Sequence, residues 1–201
     1  MPRHRQTRTR LDPRTRRAQI LDAAESVLRA TSPSELTFEQ VAEAAGVSRA
    51  LVYNYFGDRS GLLAAVELRT LEDLNSSLHA SMDATLDPAA QLRPLALAYL
   101  AFAEAHGPTW TLLAHSGGVH HPSVEAARRI RVERLATLWG GTEQAAVAAR
   151  TVTTVLESAT ITTLGADGEA TADALARVET VCRILTSGLD AGLGHPAPLH
   201  H

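Results

Sequence analysis

The chain has 201 residues, 45% hydrophobic and 20% charged, with a formal net charge of −3, which suits one large or two small soluble globular domains. It contains no run of 18 apolar residues and no apolar stretch behind its basic N-terminus, so neither a membrane span nor a signal peptide is expected. The single cysteine, Cys182, cannot form an internal disulfide, which fits a reducing cytoplasm.

The charge is uneven along the chain. Residues 1–62 hold ten Arg against seven Asp and Glu, residues 63–201 hold nine Arg against fifteen, and there is no Lys. Seven of the Arg lie in the first 17 residues beside one acid, Asp12. A basic head on an acidic body assigns contact with a polyanion to the head. For residues 1–11, polar and without period, a mobile solubilising tail is the alternative.

Asp12-Pro13 reads as an N-cap with proline at the first helical position, and Ile20, Leu21, Ala24, Val27 and Leu28 follow at helical spacing until Thr31-Ser32-Pro33. Thr37 and Gln40 form a capping-box pattern, flanked by Leu36 and Val41 as a hydrophobic staple. That helix is short because Gly46 ends it. Ser48 caps a second short helix reaching Phe56, and Asp58 caps a longer one through Leu62, Leu63 and Val66. A further helix starts after Asp87-Pro88 and is expected to end at His106-Gly107-Pro108, followed by a short piece from Trp110 to Gly117-Gly118. Residues 123–139 form the next, stopped by Gly140-Gly141. Thr142 caps an Ala/Thr/Val-rich helix to Leu164, and the last runs from about Glu169 to about Leu189. The runs TVTTV and TITT are β-branched but lie in a helix-compatible segment without breakers. The chain therefore reads as all-α, with about nine helices and no internal repeat.

Two short helices joined by Gly46-Val47-Ser48 make a helix-turn-helix. On the second, Leu51, Val52, Tyr55 and Phe56 share one face, and Arg49, Ala50, Tyr53 and Asn54 the other. The first face suits a small three-helix core. The second suits a DNA major groove, where Arg bonds a guanine edge twice, Asn does so for adenine, and Tyr reaches phosphate, sugar or thymine methyls. The bland alternative is an amphipathic surface helix whose tyrosines only cover core.

Residues 36–66, LTFEQVAEAAGVSRALVYNYFGDRSGLLAAV, resemble the signature of the tetracycline-repressor (TetR) family. The resemblance covers about residues 13–66; beyond them only helix count and length match. It implies a homodimeric, all-α regulator, usually a repressor, with an N-terminal DNA-binding domain (residues 1–62) and a helical ligand-binding and dimerisation domain (residues 63–201). The partners implied are a palindromic double-stranded operator, a second copy and an unknown small-molecule effector, with no membrane and no cofactor. Thr37 matches the phosphate-holding start of the family's second helix, and Ser48, Arg49 and Ala50 match the start of its recognition helix. Tyr53 and Tyr55 match its phosphate- and sugar-contacting aromatics, Asn54 a variable base-reading position, and Arg59 a phosphate-contacting lysine. Leu51, Gly57 and Ser60 depart from the usual threonine, proline and glutamate. The lac-repressor family shares an AGVSR-type motif, but there it starts near the N-terminus and an α/β body follows. The Arg-rich arm precedes the first helix and is expected to meet the minor groove or phosphates.

In the body, Leu175, Val178, Cys182, Leu185 and Leu189 follow a 3,4 spacing, as do Ala148, Val152, Val155, Ala159 and Thr162. These narrow stripes are expected to pair with a second subunit in a four-helix bundle, the alternative being that they face their own core. Cys182 reads as a small apolar residue rather than a redox sensor. The body's aromatics, Tyr99, Phe102, Trp110 and Trp139, are taken with His106 and Leu113 as candidate effector-pocket residues, though core packing explains them equally. His115, His120 and His121 look like a metal cluster at a glance, yet adjacent His120 and His121 point apart and neither Cys nor His-x-x-x-His supports them. No catalytic residue or metal ligand is assigned. A small hydrolase or metalloenzyme using these histidines, and a nonspecific architectural DNA protein without effector, are the competing functions.

Overall fold

The computed structural model describes residues 12–115, 121–163 and 173–193, except for the side chains of 108, 111–115 and 190–193. The described residues form eight helices and no strand: α1 (Pro13–Leu28), α2 (Phe38–Ala45), α3 (Arg49–Phe56), α4 (Arg59–Ser81), α5 (Pro88–His115), α6 (Pro122–Leu138), α7 (Glu143–Thr163) and α8 (Ala174–Leu193). No helix among the described residues is long and apolar enough to cross a membrane. The chain divides after Val66 into two compact units, and α4 contributes to both.

The first unit is built by local signals. Asp12 accepts from the amides of Arg14 and Thr15, starting α1. At α2 the capping box is closed: Thr37 Oγ1 accepts from the Gln40 amide at 3.3 Å while Gln40 Oε1 accepts from the Thr37 amide at 2.8 Å. Such a cap stabilises a helix by about 1 kcal/mol. Gly46 ends α2 with φ of +63°, a left-handed turn that brings the Val47 amide back to the Ala42 carbonyl. Ile20, Leu21 and Ala24 of α1, Val41 of α2, Val52 and Phe56 of α3 and Leu62 of α4 form the core, with the staple residue Leu36 buried among them. Gln19 Nε2 donates to the Ala45 carbonyl at 2.7 Å, tying α1 to the end of α2. Gly61 is required by close approach, since a Cβ there would lie 2.2 Å from the Phe56 carbonyl oxygen.

In the second unit α5 packs against α7 and α8, α6 against α7, and α7 against α8. Leu71, Leu74, Leu92, Tyr99, Trp110, Leu135, Leu156 and Val178 are its buried centre. The expected break at His106-Gly107-Pro108 does not occur, and one helix of 28 residues replaces the two expected there. Pro108 supplies no amide to the helix ladder, a real cost. The cost is outweighed by one unbroken apolar face: Tyr99, Phe102, Ala103 and Trp110 are all buried, and the Trp110 ring meets those of Tyr99 and Phe102 edge-on at 6.2 and 5.7 Å. This also explains eight helices rather than about nine. The threonine-rich segment is helical, and its buried hydroxyls are satisfied within the helix: Thr153 Oγ1 donates to Ala149 O and Thr160 Oγ1 to Leu156 O, both at 2.9 Å.

Candidate nucleic-acid interface

Ser48 Oγ accepts from the Leu51 amide at 3.2 Å and starts α3 outside the turn. Its eight residues then divide by period. Val52 and Phe56 are buried, Leu51 and Tyr55 half-buried, and Arg49, Ala50, Tyr53 and Asn54 exposed. Tyr53 is 62% exposed although its ring meets Phe38 of α2 edge-on at 6.4 Å. This contact leaves the hydroxyl outward and holds the ring at one angle. Arg49 forms an exposed ion pair with Glu39 of α2 at 2.9 Å.

Around α3, the Thr37 hydroxyl is engaged with Gln40 Oε1 at 2.9 Å, and Thr37 itself is exposed. Arg59 Nε donates to the Pro33 carbonyl at 3.1 Å, a contact its Nη2 shares. The guanidinium of Arg17 lies 5.3 Å from the centre of the Phe56 ring, so α1 adds a cation beside the motif. The sequence reading missed Glu39 and Arg17. Their pairings join different helices, so no spacing rule reports them. The Arg-rich arm, residues 1–11, lies outside the described residues.

In the second unit Tyr99, Phe102 and Trp110 converge, with His106 stacked on Phe102 at a ring separation of 3.9 Å and its Nδ1 2.9 Å from the Phe102 carbonyl. Trp139 is buried apart from this ring contact, with Nε1 donating to Gln91 Oε1 at 3.4 Å. The side chains of Leu113 and His115, and all of His120, lie outside the described residues. His121 caps α6: its Nδ1 accepts from the Ser123 amide at 3.4 Å and lies 2.7 Å from Ser123 Oγ. Among the described residues no group of three or more His, Cys, Asp or Glu is placed to hold a metal ion.

Buried charge beside the aromatic cluster was not anticipated. Arg131 Nη2 donates to Glu157 Oε2 at 2.6 Å, and Arg128 Nη2 to Glu67 Oε1 at 2.9 Å. Arg131 is only 6% exposed, and its guanidinium lies 5.8 Å from the Tyr99 ring centre. A signal existed in the sequence: Arg131 interrupts the stripe Val124, Ala127, Leu135 at helical spacing, as Glu67 interrupts Leu63, Leu71, Leu74. Arg128, Arg131 and Glu157 also line an open groove of about 1020 Å³ along α6 and α7.

Of the residues assigned from sequence to a subunit interface, Val152, Val178, Cys182 and Leu189 are buried within the single chain, Val155, Ala159 and Leu185 are half-buried, and Leu175 is exposed. Cys182 Sγ lies 3.8 Å from the Leu92 carbonyl of α5. The outer face of α7 and α8 instead presents Val147 and Ile184, the latter 67% exposed, beside a groove of about 610 Å³ lined by Ala148, Leu185 and Gly188.

The family model for bacterial regulatory proteins of the tetR family matches residues 20–66, from within α1 to the point where the first unit ends. The chain is 32% identical over 124 residues to the HTH-type transcriptional regulator BetI of Paraburkholderia phymatum, covering 60% of this chain and 63% of that protein. It is 41% identical over 70 residues to the HTH-type transcriptional regulator AlkX of Mycobacterium tuberculosis, covering 35% and 33%. The matched span is thus under two thirds of the relatives' own length. Among solved structures, a TetR variant from Acinetobacter baumannii AYE in complex with minocycline is 18% identical, with a TM-score of 0.67 over 92% of this chain and 100% of that one. That likeness shows the fold. The capped helix-turn-helix of residues 20–66 thus matches the tetR-family model in sequence, and the succession of helices is that of a solved TetR structure.

Proposed function

We propose that the protein is a sequence-specific transcriptional regulator of the cytoplasm, a homodimeric repressor released from a palindromic DNA operator by a small molecule, and not an enzyme. The exposed face of α3 carries this reading: Arg49, Ala50, Tyr53 and Asn54 project while Val52 and Phe56 hold the helix to its core. Arg49 and Asn54 read bases. Tyr53, Tyr55, Thr37, Ser48 and Arg59 hold phosphates and sugars. Residues 1–62 are the DNA-binding domain and residues 63–201 the ligand-binding and dimerisation domain. Both this boundary and the division after Val66 fall in α4.

The dimer forms through α7 and α8, where Val147, Leu175 and Ile184 are exposed apolar residues that a second copy covers. Two recognition helices then meet half-sites about 34–36 Å apart, or a multiple of that. The effector acts by preferring a spacing of those helices that misfits DNA, and its effect is limited by that preference.

Selection from random duplexes tests the reading. It is expected to yield an imperfect palindrome bound about a thousandfold or more tighter than random DNA. Arg49→Ala should cost about 1–3 kcal/mol at one base pair of each half-site. Uniform weakening on all sequences would leave Arg49 as a phosphate contact, and affinity indifferent to sequence would favour an architectural protein.

A further inference from the structure

The second unit buries donors that have nothing to donate to. Tyr99 Oη, Trp110 Nε1, and Nε and Nη1 of Arg131 are shielded from solvent and have no hydrogen-bond partner among the described residues. Tyr99 and Trp110 are fully buried, Arg131 nearly so. These groups are neighbours: the guanidinium lies 5.8 Å from the Tyr99 ring centre, and the Tyr99 and Trp110 rings meet edge-on at 6.2 Å. A buried donor left unmatched is costly, and most so when it is charged. Four such atoms in one place describe the complement of an acceptor-rich group.

We propose that this cluster anchors the effector, and that the effector is a compact carboxylic acid with an apolar, ring-like body. The inference rests on reading the second unit as ligand-binding. Arg131 presents a flat guanidinium whose Nη2 holds Glu157, while Nε and Nη1, which point to different sides of the group, have no partner among the described residues. A planar carboxylate can take Nη1 together with the second hydrogen of Nη2, end-on, with the Tyr99 hydroxyl and the Trp110 indole N–H supplying further donors. The apolar body lies against Phe102, which also meets Trp110 edge-on.

The neighbouring charges favour one negative charge on the ligand, neither none nor two. Arg128 and Arg131 face Glu67 and Glu157, so these four charges balance one another. A neutral acceptor gains less from a guanidinium than an anion does, and a phosphate dianion meets both carboxylates at full repulsion. For a monoanion there is a simple exchange. Glu157 Oε1 lies 3.9 Å from Arg128 Nη2, so Glu157 can lean on Arg128 as the ligand takes Arg131. The groove along α6 and α7, lined by Arg131 and Glu157, is the route in.

Titration calorimetry on the full chain tests this with matched probes: benzoate, phenylacetate and hexanoate against benzamide, phenylacetamide and hexanamide. At least one acid should bind one per chain, about tenfold or more tighter than its amide. Arg131→Gln should abolish the acid's advantage, and Tyr99→Phe, which removes only the hydroxyl, should weaken the acid several-fold. Both variants are checked for intact helix content and for DNA binding. If no acid binds, if acid and amide bind alike, or if both folded variants bind the acid as the parent does, the inference is overturned and the orphan donors serve water alone. Sequence-selective DNA binding without acid binding would sink only this inference. Acid binding without any DNA binding would sink the regulator reading and leave the site standing.

Discussion

Arg49 of α3 is held by Glu39 of α2 at 2.9 Å, across two side chains that are 69% and 61% exposed. A pair this open is worth about 0–1 kcal/mol, so the guanidinium is positioned but not captured. As the proposed base-reading residue, Arg49 would leave this pair at little cost. Glu39 would also place a negative charge near the phosphates of a bound duplex. Glu39→Gln should leave thermal stability almost unchanged, tighten binding to every duplex, and narrow the gap between operator and random DNA. Fluorescence anisotropy on both duplexes at several salt concentrations reads all three; weaker binding to both would mean that Glu39 makes a favourable contact of its own.

The junction of α3 and α4 should be intolerant at Gly61. A methyl group there meets the Phe56 carbonyl oxygen at 2.2 Å, and that oxygen is backbone, unable to rotate away. Gly61→Ala should destabilise the first unit by about 1–3 kcal/mol, the usual range for overpacking. Neighbouring exposed Ser60→Ala serves as the control and should be near neutral. Urea unfolding of both variants decides it.

Burial raises the Tyr99 phenol above its ordinary 10.0, with Arg131 opposing, and raises the Cys182 thiol above 9.0, with Arg93 opposing. In both cases the unfolded chain loses its proton first as pH rises. The contribution to stability is thus complete below about 9 and is lost progressively as pH climbs through the folded values. Melting temperature should be flat near pH 7–8 and fall above pH 9. Tyr99→Phe should flatten the upper part of that fall and raise stability by about 1 kcal/mol at pH 7, because it removes an unpartnered buried hydroxyl. A loss of stability at pH 7 would show that the hydroxyl has a partner.

Ile184→Arg should dissociate the proposed dimer without unfolding the chain, since Ile184 is 67% exposed in the single chain. Sedimentation should shift from twice 21.4 kDa towards 21.4 kDa. Cys182→Arg, at a position buried against α5, should instead reduce helix content. Unaltered sedimentation of the Ile184 variant would move the interface off this face.

Much of the first unit was legible because its signals are local. A threonine three residues before a glutamine, a glycine just past the last apolar residue, and a serine three residues before Leu51 each act within one turn of chain. The division of α3 followed from the same period, with Val52 and Phe56 inward and Arg49 and Tyr53 outward. The aromatics Tyr99, Phe102 and Trp110 lie in ring contact, although the sequence placed a break between Phe102 and Trp110.

Residue spacing alone determined that the chain is helical, where its capped helices start, and which face of the short second helix of the motif is free. Tertiary structure decided the rest. Whether α5 passes through Gly107-Pro108 depends on what its rings pack against, because propensity over two residues is weaker than a buried aromatic face. Which of Val178, Cys182 and Ile184 is covered depends on the neighbours of α8, which a 3,4 stripe does not name. The pairing of Arg131 with Glu157, and of Arg49 with Glu39, joins groups on separate helices, and charge attraction across space leaves no period along the chain.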